Sequence, residues 1–177
     1  MDEARIVETE MGKVVEGEGW FILNAGEATW ETIPGRGVWS IFEAEGAPFG
    51  HYGFYIHVLM PGEANGHYHA ESAQEDFLVL SGECIAVVEG EERRLRQWDL
   101  LHCAPGTEHI TIGAGDGPCA ILMVGARFRE RTIHYPVNEV AARHGASVTQ
   151  PADRGRDAYA GEDRTRTRVR APWPPAD

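Results

Sequence analysis

Short β-rich runs separated by turn residues fill residues 52–124, and no fold class accommodates that rhythm except a sandwich or a barrel. Residues 52–60 are rich in aromatic and β-branched side chains, which favour strands, and Pro61-Gly62 ends the run. Residues 67–70, 77–80, 84–88, 93–95, 99–103, 109–112 and 119–124 follow as further short strands. Between them lie Ser81-Gly82, Glu89-Gly90-Glu91, Pro105-Gly106 and Gly113-Ala114-Gly115-Asp116-Gly117-Pro118. The Gly-centred Glu89-Gly90-Glu91 predicts a hairpin turn. The expectation is an all-β, antiparallel domain.

Within this pattern stands His67-Tyr68-His69. On a strand, residues i and i+2 face the same way, so both imidazoles would point at one spot. On a helix they would diverge. An extended segment here predicts a bidentate nitrogen clamp, and a metal ion is the expected occupant. Glu75 follows closely and His109 lies further on.

The 177 residues suit one domain with a tail. The net charge is −12; residues 151–177 carry six arginines against five acids, which leaves −13 on the first 150. So acidic a body argues against nucleic acid and against anionic membranes as partners. Cys84, Cys103 and Cys119 lie in apolar strand sequence without CxxC spacing, and are expected as buried, reduced thiols rather than a disulfide framework. The charged N-terminus has no apolar signal segment, and no apolar run approaches the roughly 20 residues that cross a bilayer. A cytoplasmic protein is the expectation.

The first twenty residues are acidic and Gly-rich and are expected to be poorly ordered up to Trp20-Phe21-Ile22-Leu23. Near the other end, Pro136, the apolar stripe Val137, Val140 and Ala141, and Gly145 predict a helix over about 136–144, with His144 complementing its C-terminus. The Pro- and Arg-rich tail beyond Thr149 cannot build its own core. It is expected either mobile or draped over a partner subunit, with Tyr159 and Trp173 as anchors. The division is thus an N-terminal extension (1–50) whose strands pack on the barrel, a barrel core (51–126), and a helix with an extended tail (127–177).

Residues 62–109 resemble the cupins, small antiparallel jelly-roll β-barrels. Their first motif is a Gly, five residues, His-x-His, three or four residues, Glu, six residues, Gly. This chain reads Gly62, four residues, His67-Tyr68-His69, five residues, Glu75, six residues, Gly82. Their second motif is a Gly, five residues, Pro-x-Gly, two residues, His, three residues, Asn. This chain has Trp98 at the first Gly, then Pro105 and Gly106, His109, and Gly113 at the final Asn. The resemblance covers roughly residues 50–125, and the longer chain is similar to small bacterial single-domain cupins.

The resemblance implies a cupin barrel and a divalent metal (Fe, Mn, Ni, Co or Zn) held by His67, His69, Glu75 and His109. One extra residue precedes Glu75, so Gln74 occupies the acid's place under four-residue spacing. Glu75 is preferred because its spacing to Gly82 keeps strand register, and because a carboxylate suits a hard or borderline divalent cation better. Three imidazoles and one carboxylate leave coordination positions open, as at catalytic sites. His57 and His102 are candidates to orient a ligand or carry a proton beside the metal, although a satisfied interior histidine is the plainer reading of each. The expected activity is that of a small dioxygenase-like metalloenzyme acting on a small organic substrate, with a metal-dependent isomerase or lyase next. A non-catalytic small-molecule or metal-binding module is the alternative. A homodimer, pairing through the N-terminal extension, is also expected.

Overall fold

A computed structural model describes residues 2–172. Two antiparallel sheets enclose the core, and a two-stranded hairpin flanks them. Their strands are β1 (Arg5–Thr9), β2 (Gly12–Glu16), β3 (Trp30–Thr32), β4 (Val38–Ser40), β5 (Tyr52–Leu59), β6 (His69–Glu71), β7 (Glu75–Ser81), β8 (Glu83–Val88), β9 (Glu91–Arg96), β10 (Leu100–Cys103), β11 (Glu108–Ala114), β12 (Cys119–Ala126) and β13 (Ile133–His134). Two single-turn helices follow, α1 (Glu139–Ala142) and α2 (Gly155–Ala158), and then β14 (Thr167–Val169). One sheet runs β10-β7-β12-β5-β4-β3-β14 and the other β13-β6-β11-β8-β9; β1 and β2 form a separate hairpin. This is the antiparallel β architecture that the turn spacing implies, and it is consistent with a jelly-roll barrel.

Side-chain alternation decides what faces inward. Along β5, Leu59 joins the inner core with Phe77, Val79, Ile121 and Met123. Ile56 and Val58 face the other way and are covered by Ala28 and Trp30. On the second sheet, Ile110, Ile112 and Val87 turn outward beneath Tyr68, Ala141 and Ala146. Each sheet is therefore apolar on both faces, which is why the strands read as nearly continuous apolar runs. Cys84, Cys103 and Cys119 are buried free thiols, as their apolar neighbours imply.

Three expectations about the flanks are corrected. The N-terminal stretch is ordered: β1 and β2 pair in register, and Ala4 and Val15 pack with Ala44 and Phe21. Alternating apolar residues at 4, 6 and 15 supply the packing that the acidic composition hides. The predicted helix shrinks to Glu139–Ala142, because Asn138 caps it, accepting from Val140 N and Ala141 N, so Pro136 and Val137 precede it. A helix this short has no independent stability and rests on Ala141 being buried. His144 lies beyond it and bonds Glu92 (2.9 Å). Finally, the tail is used within its own chain: Thr167, Arg168 and Val169 pair with β3. Tyr159 packs on His67 of the same chain rather than on a partner subunit, while Trp173 lies outside the described residues.

Two motif departures have structural causes. Gly113 stands where the family has Asn, and a Cβ there would come 2.2 Å from the Met60 carbonyl oxygen, so no side chain fits. Trp98 stands where the family has Gly, and it adopts φ +74°, the left-handed region that glycine enters freely. The turn keeps the backbone of a glycine with the side chain of a tryptophan.

Candidate metal centre

Two paired strands of one sheet and one strand of the other bring His69, Glu75 and His109 together. His69 opens β6 and pairs directly with His109 on β11, while Glu75 opens β7. The ligand atoms of the three lie within 4.8 Å of one another. His109 Nε2 is 3.3 Å from Glu75 Oε2, and His69 Nε2 is 3.7 Å from the same oxygen. Glu75 Oε2 and His109 Nε2 are buried without a hydrogen-bond partner.

Backbone carbonyls orient both rings. His69 Nδ1 donates to the His67 carbonyl (2.7 Å), and His109 Nδ1 donates to that of Thr107 (3.0 Å). With each Nδ1 donating to a carbonyl, Nε2 is the ring atom left facing the carboxylate, and in its deprotonated form it offers a lone pair to a cation. Three convergent lone-pair donors, two of them buried orphans, fit a divalent cation by donor type and by placement.

In the protein without a metal, a proton takes the cation's part. Burial raises Glu75, but the adjacent imidazoles of His109 and His69 outweigh it and hold the carboxyl down at about 2. Burial lowers His109, but Cys103 and Glu75 outweigh that and raise it to about 10. A second carboxylate, Glu71, stands two residues beyond His69 on β6. Burial and the Glu75 charge push it up, and Arg131 lies 3.2 Å away.

The other expected residues lie elsewhere. His67 precedes β6, so the strand period that faces His69 inward does not carry it to the same point. Its Nε2 meets Glu162 Oε1 at 2.6 Å, its ring stacks on Tyr159 at 4.7 Å, and burial lowers its pKa. Gln74 is exposed and bonds Asp76 (2.7 Å), which leaves Glu75 as the inward acid. His102 is corrected to a surface residue: its side chain is half exposed and pairs with Asp76 at 2.7 Å, because Glu75 and Cys103 are register partners and the adjacent pair points out. His57 is interior. Its Nε2–H donates to the Arg36 carbonyl (2.6 Å), and burial pushes its pKa down to about 4, so it stays neutral.

A cavity of about 860 Å³ adjoins this region, with Arg36, Trp39, Tyr55, His57, Asn65 and Tyr159 in its wall. The three convergent ligands are not in that wall. Tyr55 stands in the wall with 37% of its surface exposed, and its hydroxyl is raised to about 12, by burial and then by the charges of Glu75 and Glu71. Sequence reading missed Arg36 and Glu162. They are separated by 126 positions, so no local pattern could announce their pairing.

Residues 55–125 match the family model of the cupin domain. The chain thus carries a cupin domain in its central part. Among solved structures it resembles the polyketide cyclase RemF from Streptomyces resistomycificus, at 14% identity and TM-score 0.55, over 63% of this chain and 82% of that one. It also resembles an RmlC-like cupin from Shewanella frigidimarina, at 16% identity and TM-score 0.53, over 63% and 95%. A protein described as a sugar phosphate isomerase from Acidithiobacillus ferrooxidans matches at 21% identity and TM-score 0.49, over 56% of this chain and 65% of that one. No curated protein matches the chain. At such identities these likenesses concern the fold alone. Among the described residues, no helix is long and apolar enough to cross a membrane.

Proposed function

We propose that the chain is a metal-dependent enzyme of dioxygenase type, built on a two-histidine, one-carboxylate centre of His69, Glu75 and His109. One observation carries this reading: Glu75 Oε2 and His109 Nε2 are buried, unpartnered and 3.3 Å apart, with His69 Nε2 beside them. Two imidazoles and a carboxylate on one side of an ion, with other positions open, suit iron(II) and oxygen chemistry. A divalent ion bound there would supply Lewis acidity and, if redox-active, electrons for dioxygen.

The chain's own residues do the rest. The His67 and Thr107 carbonyls fix the two ring orientations. The neighbouring cavity is large enough for a small organic substrate, since such sites commonly span about 300–1,000 Å³. Tyr55, kept protonated, offers a hydroxyl in the wall of that cavity. His67, the fourth ligand that the family resemblance implies, is engaged by Glu162 and is left out of the proposed three-residue centre.

The homodimer remains a proposal on altered grounds. The N-terminal hairpin has its own cover, whereas Trp98 and Leu100, beside and on the edge strand β10, are exposed. Light scattering at micromolar concentration should give twice the chain mass, and a monomer would refute it.

The functional reading is tested by anaerobic loading with iron(II), followed by oxygen-uptake measurements with aromatic diols and thiols. Uptake that disappears in Glu75→Gln is expected. No uptake by the iron-loaded wild type would instead favour a binding module.

A further inference from the structure

We propose that Arg36 and His67 form a carboxylate-binding subsite beside the metal centre, filled in this structure by the chain's own Glu162. The inference rests on the enzyme reading above and deepens it: the substrate class becomes a small organic acid. Glu162 presents one oxygen to each donor. Its Oε2 accepts from Arg36 Nη2 at 2.7 Å, and its Oε1 meets His67 Nε2 at 2.6 Å.

The two donors are held in place and more enclosed than the acceptor. The other guanidinium nitrogen of Arg36, Nη1, donates to the Gly66 carbonyl (2.9 Å), and the Arg36 carbonyl accepts from His57 Nε2 (2.6 Å). The Arg36 and His67 side chains are 14% and 7% exposed, against 33% for Glu162. Glu162 belongs to the irregular stretch between α2 and β14. A guanidinium withdrawn from water needs an anion beside it. The barrel side therefore supplies a standing demand for a carboxylate, and the tail supplies one that can leave.

The surroundings select the kind of anion. Two donors facing two oxygens match a planar carboxylate. Tyr159 adds a flat wall, stacking on the His67 ring at 4.7 Å while its hydroxyl accepts the His67 backbone N–H at 3.1 Å. A second guanidinium, Arg164, stands 4.0 Å over the Tyr159 ring, so it is the pairing of two donors with two oxygens, not charge alone, that selects a carboxylate. The subsite also adjoins the centre directly, because the His67 carbonyl holds the His69 ring. An acid seated on Arg36 and His67 has the cavity on the Arg36 and Tyr159 side to hold its remainder.

Calorimetric titration of the full chain after chelator treatment tests this, with benzoate and phenyl phosphate as probes. Glu162→Ala should bind benzoate at least tenfold more tightly than the wild type, and more tightly than it binds phenyl phosphate. Adding Arg36→Met should abolish that gain. If this variant does not fold, Arg36→Lys, which keeps the charge without the paired donors, should weaken benzoate binding at least threefold in the same background. No gain in Glu162→Ala, a gain that survives loss of Arg36, or a preference for phenyl phosphate would overturn the subsite. Zinc titrations of the same samples separate the two claims. Zinc affinity within threefold of wild type in Glu162→Ala is expected. Zinc binding without a benzoate gain overturns the subsite and leaves the metal centre standing. Zinc affinity that rises sharply in Glu162→Ala, with no benzoate gain, would reassign His67 to the metal.

Discussion

Restoring the family's asparagine at Gly113 should damage this protein. The strand there is clamped to the preceding loop by two backbone hydrogen bonds, Gly62 N to Gly113 O and Gly113 N to Glu63 O, both 2.8 Å. A Cβ at 113 would lie 2.2 Å from the Met60 oxygen, 2.8 Å from its carbon and 3.0 Å from Leu59 Cβ. Making room requires the loop to move by about 1 Å, because ordinary carbon–oxygen contact is at least 3 Å. That movement sacrifices both hydrogen bonds at roughly 1 kcal/mol each, and the crowding adds about 1–3 kcal/mol. The expected loss for Gly113→Asn is about 3–5 kcal/mol in urea unfolding. Gly113→Ala, which introduces the same Cβ, should lose at least about 2 kcal/mol on the same reasoning. If either variant unfolds within about 0.5 kcal/mol of wild type, the size of an ordinary surface change, the close approach is wrong.

Trp98→Gly should act in the opposite direction. The left-handed penalty is about 1–2 kcal/mol, glycine's extra chain entropy returns about 0.5–1 kcal/mol, and Trp98 is 68% exposed, so little burial is lost. A net gain of roughly 0.5–1 kcal/mol by denaturant melt is expected, and a clear loss would show that the indole packs more than it strains. Metal binding should release a proton, because His109, raised to about 10, holds one against Glu75 at neutral pH. Cobalt affinity should then strengthen about tenfold per unit between pH 7 and 9, and a pH-independent affinity would refute the shared proton. In the metal-free protein the sign reverses. His109 is raised above its ordinary 6.5, so its stabilising contribution is complete below about 6.5 and is lost as pH rises through about 10. Thermal melts at pH 6, 8 and 10 should show that decline, and a melting temperature unchanged over this range would exclude it.

The barrel was legible because its strands are short, apolar and separated by Gly and Pro turns, so local pattern and tertiary packing agree. The choice of Glu75 over Gln74 was legible for a related reason: a one-residue slip exchanges the faces of a strand, and residues 75–79 keep register with β12 until a shift at Ala120/Ile121. His67 and His102 show where such reasoning ends. Period-two alternation assumes an unbroken strand, and β6 begins only at His69. Strand parity does place His102 opposite Asp76, but parity alone does not say which face is inside. The tail's role depends on contacts between residues about a hundred positions apart, Tyr159 and Glu162 on His67, which no composition or motif encodes. The early hairpin was hidden because acidic residues dominate its composition while a few alternating apolar residues carry its packing.

The central claim is that His69, Glu75 and His109 hold a divalent ion. Equilibrium dialysis against cobalt(II), with the bound metal measured by elemental analysis, tests it most directly. The wild type should bind one ion per chain. Glu75→Gln and His109→Ala should each reduce this to a small fraction, while His102→Ala, on the surface beside Asp76, should leave it unchanged. Full cobalt occupancy in Glu75→Gln and His109→Ala would contradict the account.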